Sequence, residues 1–316
     1  MTSNDTLGRA PFIAGVAAVF ATPRYAEAAD LTPVTVGVPP SDTAAIVYYA
    51  QQLGFFKAAG LDVSTSLLNS GPVIAAAVTG GSLNFGAVNV GSIAAARLRG
   101  LPLRIVAPSA LVPAGRPSGD VVMVRDDSKL RPGPDFNNKT VAIVAIKTVQ
   151  HAAFLNWLDK HGADSKSVKM IEIPLPEMVD SLDSGHVDAA IPVEPFTTQG
   201  LSKGNHSFGS LYEGLPSFMV FALCATDQWL AANAATAAKF ALALRQAAVW
   251  ANGHDAESRQ LLTAFMKIDP QTAAKIQLRS FGTTASTELI APVIDIMVKY
   301  GFLDRAISPA ELIWQP

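Results

Sequence analysis

Short β-branched apolar runs alternate with alanine-rich, helix-length segments, and glycine or proline stands at most of the changes. The first run, 34–38 (Val-Thr-Val-Gly-Val), reads as a strand stopped by Pro39-Pro40. Ser41, Asp42 and Thr43 are cap-forming residues ahead of a helix predicted over 44–53, which Gly54 ends. Gly60-Leu61-Asp62-Val63 turns into a second strand. Asn69-Ser70-Gly71-Pro72 opens a helix over 73–78, with Pro72 suited to the first turn, and Gly80-Gly81 closes it. A third strand, 83–88, leads into Asn89-Val90-Gly91-Ser92 and a helix over 93–98.

The middle of the chain repeats this plan. A strand over 140–146 meets Lys147-Thr148-Val149, which opens a helix through Leu158. A strand over 168–173 ends at Pro174 and Pro176, a helix over 177–182 ends at Gly185, and 187–191 is the next strand. At a constant offset of 104, Pro72 falls on Pro176, Gly81 on Gly185 and Asn84 on Asp188. Two lobes on one plan follow: an α/β fold in which each lobe is an open sheet with helices on both faces. The polar, turn-rich segment 114–120, ahead of a strand at 121–124, predicts the first crossing between lobes, and Gly214-Leu215-Pro216-Ser217, ahead of an apolar run 218–223, predicts the second. The expected division is lobe 1 at 30–118 plus 222–316 and lobe 2 at 119–221, with a ligand cleft between them. Beyond the second crossing the pattern turns helical, over 229–250, 257–266, 271–278 and 288–300.

Composition narrows the function. The 316 residues suit about two domains. Net charge is -2 and no Lys/Arg cluster occurs, so nucleic acid is not an expected partner. Cys224 is the single cysteine, which excludes an internal disulfide and a cysteine zinc site. The five histidines, His151, His161, His186, His206 and His254, show no metal-ligand spacing. At the N-terminus, Arg9, an apolar run over 12–21 and Ala26-Glu27-Ala28 form the pattern of an export signal, expected over 1–28. That run is too short to span a bilayer, and a periplasmic destination is expected.

The run 49–63, containing Gly54-Phe55-Phe56-Lys57 and Gly60-Leu61-Asp62-Val63, resembles a segment of the nitrate/sulfonate/taurine-type periplasmic binding proteins, a group that includes thiamine-precursor binders. Gly81-Ser82-Leu83-Asn84-Phe85-Gly86 resembles a second segment, with Asn84 where an aspartate is usual. Gly185-His186-Val187-Asp188-Ala189-Ala190 followed by Glu194-Pro195-Phe196 resembles a third. The resemblance runs from about Val34 to about Trp229. It implies the two-lobed periplasmic binding protein-like fold of type II, two hinge crossings, closure on a small ligand, and delivery by a monomer to an ABC transporter permease with its ATPase. No cofactor is implied. It also implies ligand contacts from loops at strand ends. On this chain those are Ser41, Asp42 and Thr43; Asn69, Ser70 and Gly71; Asn89, Val90 and Ser92; Lys147, Thr148 and Val149; and Glu194 and Phe196.

Three of these loops open helices, whose free N–H groups favour an anionic group. Lys147 offers a positive charge and Phe196 an apolar surface, so a sulfonate, a carboxylate or a vitamin-precursor-like ligand is expected. Tyr48 and Tyr49 are further candidates for the cleft. The same residues have plainer roles as caps, turn residues, a solvated lysine and a core phenylalanine. The alternative is an enzyme on the same fold: a desulfinase, a decarboxylase, or a relative of the thiamine-pyrimidine synthases. Cys224 sits in an apolar run that suits an inert thiol, and His151 is the residue such an enzyme would call on.

Overall fold

The computed structural model describes Met1 and residues 30–315; the rest of the expected export signal, 1–28, lies outside the described residues. Strands β1 (Thr32–Val38), β2 (Leu61–Leu67), β3 (Phe85–Asn89), β4 (Leu103–Pro108) and β12 (Phe221–Thr226) form a first sheet in the order β2-β1-β3-β12-β4. Strands β6 (Val121–Val124), β7 (Thr140–Ile143), β8 (Lys169–Glu172), β9 (Ala189–Ala190) and β10 (His206–Ser210) form a second, ordered β10-β6-β9-β7-β8. In each, three parallel strands meet one antiparallel neighbour: β2-β1-β3 meets β12, and β8-β7-β9 meets β6. Three short strands, β5 (Ala110–Val112), β11 (Phe218–Met219) and β13 (Ser280–Phe281), make a small antiparallel sheet beside the crossings. The result is a two-lobed α/β fold.

The repeat seen in the sequence has a structural cause at each matched position. Helices Gly71–Thr79 and Leu175–Asp183 begin and end at the same offset of 104, with Pro72 and Pro176 in their first turns. Gly81 and Gly185 follow them in the left-handed region, at φ 76 and 74, where a side chain would be strained. The Thr35 N–H donates to Asn84 Oδ1 at 2.8 Å, and the Thr140 N–H donates to Asp188 Oδ2 at 2.9 Å. In both lobes the polar residue before the third strand therefore ties it to the first.

Four departures from the sequence pattern have a visible local cause. Helix 93–98 starts earlier, as Val90–Leu98, because Asn89 caps it by accepting the Ser92 N–H. The apolar run 218–223 divides between β11 and β12 at Val220, whose carbonyl accepts the Val90 N–H. The long helix divides into Asp227–Ala232 and Ala234–Ala251 at Asn233, whose amide bonds back to the Trp229 carbonyl. The helix expected over 271–278 is Pro270–Lys275, and the Arg259 guanidinium donates to the carbonyls of Ala273 in its last turn and Ile276 just past it, at 3.0 and 2.6 Å.

Gly37 of β1 and Gly86 of β3 are paired in register. A Cβ at Gly86 would lie 2.5 Å from Ile74, and one at Gly37 2.6 Å from Leu83. The two bare positions let helix Gly71–Thr79 settle onto the sheet, which fixes where its first turn projects.

Candidate ligand-binding site

A cavity lies between the two five-stranded sheets. From the first sheet come Pro39, Ser41 and Thr43 after β1, Asn69 to Pro72 after β2, and Asn89 at the end of β3. The second supplies Val144 and Ala145 after β7, Thr148, Val149 and Gln150 at the next helix start, Leu175 after β8 and Val193 after β9. Asp120 and Tyr212, next to the crossings, and Val220 and Phe221 complete the wall. These strand ends are carboxyl ends, the edge of an open α/β sheet at which a crevice forms.

Several of the polar lining groups are already engaged. Ser41 Oγ and Thr43 Oγ1 share one hydrogen bond of 2.7 Å. Asn89 accepts the Ser92 N–H and donates to Ser92 Oγ, both at 2.8 Å. Thr148 Oγ1 accepts the His151 N–H at 3.3 Å and donates to the Ala145 carbonyl at 3.0 Å.

Behind this wall lies a cluster of buried charge. Arg279 donates through Nε and Nη2 to the two oxygens of Asp42, each at 2.9 Å, and through Nη1 to Asp120 Oδ2 at 2.7 Å. The side chains of all three are 2–3% exposed. Burial pushes the Asp42 carboxyl upward and Arg279 opposes it. Burial works against the Arg279 charge, and the two carboxylates outweigh it, so the guanidinium stays protonated. The Tyr212 hydroxyl donates to Asp120 Oδ1 at 3.2 Å, and burial beside that carboxylate raises its pKa well above the usual phenol value. Glu194 accepts the N–H groups of Thr198 and Gln277, each at 3.1 Å, and the Thr198 hydroxyl at 3.0 Å. Burial nevertheless pushes its carboxyl up to about 7. Gly119 makes room for it, since a Cβ there would stand 2.4 Å from the Glu194 side chain.

Residues 42–258, more than half of the chain, match the sequence model of a family described as NMT1/THI5 like. The chain belongs to this family. Solved structures with the same fold include the periplasmic aliphatic sulphonate binding protein SsuA from Escherichia coli, at 16% identity and TM-score 0.70, covering 90% of this chain and 92% of that one. The alkanesulfonate-binding protein SsuA from Xanthomonas axonopodis pv. citri bound to MOPS aligns at 18% identity and TM-score 0.75, over 92% of this chain and 100% of that one. The periplasmic nitrate-binding protein NrtA from Synechocystis PCC 6803 aligns at 14% identity and TM-score 0.73, over 90% and 86%. No curated protein matches the chain by sequence.

Of the positions to which the family resemblance points, Ser41, Thr43, Asn69, Ser70 and Gly71 line the cavity, as do Asn89, Thr148 and Val149. Six others lie off it. Asp42 turns away to Arg279. Val90 is buried in the apolar core, and Ser92 serves the Asn89 cap. Glu194 faces Thr198 and Gln277, and Phe196 packs on the core of the second lobe. Lys147 is exposed, with a left-handed φ of 56, and its N–H donates to His151 Nδ1 at 3.0 Å.

Tyr48 stacks on Phe265, and the Tyr49 hydroxyl donates to the Ser258 carbonyl, so both serve packing. His151 sits beside Phe302, where burial lowers its pKa to about 4. Cys224, inside β12, is fully buried, and burial pushes its thiol up to about 12. Neither lines the cavity. Among the described residues no group of His, Cys, Asp and Glu is placed to hold a metal.

Among the lining residues that sequence reasoning missed are Asp120, Gln150, Tyr212 and Phe221. Two had a signal. Asp120 ends the polar crossing just before an apolar strand, and Gln150 is a polar residue in a helix-opening turn. Tyr212 and Phe221 look like core residues in the sequence.

Proposed function

We propose that this chain is the solute-binding component of an ABC importer, working in the periplasm. It takes a small organic solute into the cavity between its lobes, closes on it, and presents the closed form to a membrane permease with its ATPase. The observation that carries this reading is the cavity itself, whose lining comes from the carboxyl ends of strands in both sheets. Family membership and the shared fold support it. The loops inferred to touch solute are those of Ser41 and Thr43, Asn69 to Gly71, Asn89, and Thr148 with Val149. Lobe 1 is assigned 30–118 plus 222–316 and lobe 2 119–221, with hinges at the two crossings.

Catalysis is the weaker reading, because the thiol and the imidazole it would call on lie away from the cavity. A thermal-shift screen of small organic solutes tests capture. A solute at about 100 times its dissociation constant adds about 2.7 kcal/mol to stability. Recovery of the bound compound unchanged supports transport, and recovery of a converted product supports an enzyme.

A further inference from the structure

The charges and hydrogen-bond directions around the cavity carry more than its shape does. Among the described residues no lysine, arginine or histidine lines it, and its one charged lining residue is the carboxylate Asp120. Behind it stand two carboxylates against one guanidinium, Asp42 and Asp120 around Arg279, with the Glu194 carboxyl as a third acid nearby. With Asp42 and Asp120 both ionised, the cluster carries a net negative charge beside the cavity.

Some of the protons of the wall are also spent. Tyr212 gives its hydroxyl proton to Asp120, and Thr148 gives its own to the Ala145 carbonyl. Two helix starts have each given an N–H to a capping side chain, Ser92 to Asn89 and His151 to Thr148. What these groups leave toward a ligand is lone pairs. Each oxygen of Asp120 accepts one hydrogen bond in the structure and has capacity for another.

We infer that the solute is neutral or cationic rather than anionic: a compact organic molecule with N–H donors directed at Asp120 and Tyr212, and an apolar body against Val144, Leu175, Val193 and Phe221. A buried wall whose one charged side chain is a carboxylate opposes an anion, whose charge would be desolvated beside it. It favours an ammonium, amidinium or amide N–H, because hydrogen bonds to a carboxylate are the strong ones. This inference rests on the reading of the chain as a solute-binding protein and names the chemical class of its solute.

The test is a calorimetric and thermal-shift comparison on the full chain, using panels matched in carbon skeleton. Benzylamine, benzamide, benzoate and benzenesulfonate form one panel, and the corresponding propyl compounds another. The amine or amide of a panel is expected to bind about tenfold or more tightly than its anionic counterparts. Asp120→Asn is expected to weaken the best amine by about tenfold or more. The ranking is read on the unaltered protein, so it stands whether or not the variant folds. Tighter binding of the carboxylate or sulfonate, or no preference between classes, overturns the inference and leaves solute capture standing. Binding by no member of either panel overturns it as well, and capture is then judged separately by the broader solute screen. An amine affinity untouched in a folded Asp120→Asn protein removes Asp120 from the site and overturns the inference.

Discussion

Arg279 holds together residues 237 and 159 positions away in the chain, Asp42 and Asp120. Its removal strands two buried carboxylates. Arg279→Ala is therefore expected to cost roughly 3–5 kcal/mol, the cost of breaking a buried ion pair by deleting one partner. A urea titration checks this, and a loss under about 1 kcal/mol would mean water reaches the cluster and screens it. Glu194 gives a pH signature. Its folded pKa is about 7 against an ordinary value of 4.5, so the folded state holds a proton that the unfolded state releases earlier. Its contribution is fully present below the ordinary value and lost as pH rises through 7. Between about pH 5 and about pH 8 the loss is on the order of 3 kcal/mol, and Glu194→Gln is expected to remove most of that slope. Asp42, also shifted upward, leaves a residual slope of the same sign. Urea midpoints for both proteins at the two pH values decide it: parallel pH dependences would show that Glu194 ionises normally. The Arg279 cluster was not legible in the sequence, whereas Glu194 read there as a structural hydrogen-bonding residue or a contact between lobes. Asp42 reads there as one of three capping residues, and nothing local links it to an arginine near the other end of the chain.

Elements were the legible scale, because helix starts and stops are written in local chemistry. The offset of 104 located both copies of one helix, Gly71–Thr79 and Leu175–Asp183, through their prolines and glycines alone. The loops that open helices at Asn69 to Gly71, Asn89 and Thr148, to which the family resemblance points, border the cavity. Local punctuation does not say which way a side chain at such a loop faces. That is why Lys147, in a left-handed conformation that turns it outward, reads in sequence like its neighbour Thr148, which faces the cavity. The close seat of helix Gly71–Thr79 on the sheet belongs to this scale too. Gly86→Ala brings a methyl against Ile74 and Val78, 2.5 and 2.8 Å from the new carbon. Overpacking of this kind costs about 1–3 kcal/mol. Because the helix must lift, its first turn at Ser70 and Gly71 moves as well. Solute affinity is thus expected to fall together with the denaturation midpoint. A variant that loses stability yet keeps full affinity would show that the helix start is not part of the site.

At the scale of the whole molecule, contacts between the lobes flank the cavity on two sides. On one, the Asp42 N–H donates to the Glu194 carbonyl at 3.2 Å and the Gln277 N–H to Glu194 Oε1 at 3.1 Å. On the other, helix Thr287–Lys299, which packs on Val90–Leu98 of the first lobe, reaches helix Val149–Lys160 of the second. There Lys299 Nζ donates to Asn156 Oδ1 at 3.0 Å, the Tyr300 hydroxyl to Asp159 Oδ2 at 2.7 Å, and Phe302 lies against His151. If the lobes open as proposed, these bonds are broken on opening, so they bias that equilibrium without touching the solute. Tyr300→Phe removes one of them, worth about 0.5–1.5 kcal/mol. If closure is needed for tight binding, affinity drops by the fall in closed population, roughly two- to tenfold. Small-angle scattering of the free variant is then expected to give a larger radius than the free wild-type protein, with the two converging at saturating solute. Equal radii together with equal affinities would mean that this pair of helices does not govern closure. In that case the bias resides at the Asp42–Glu194 side, where the hinge crossings and the buried charges meet.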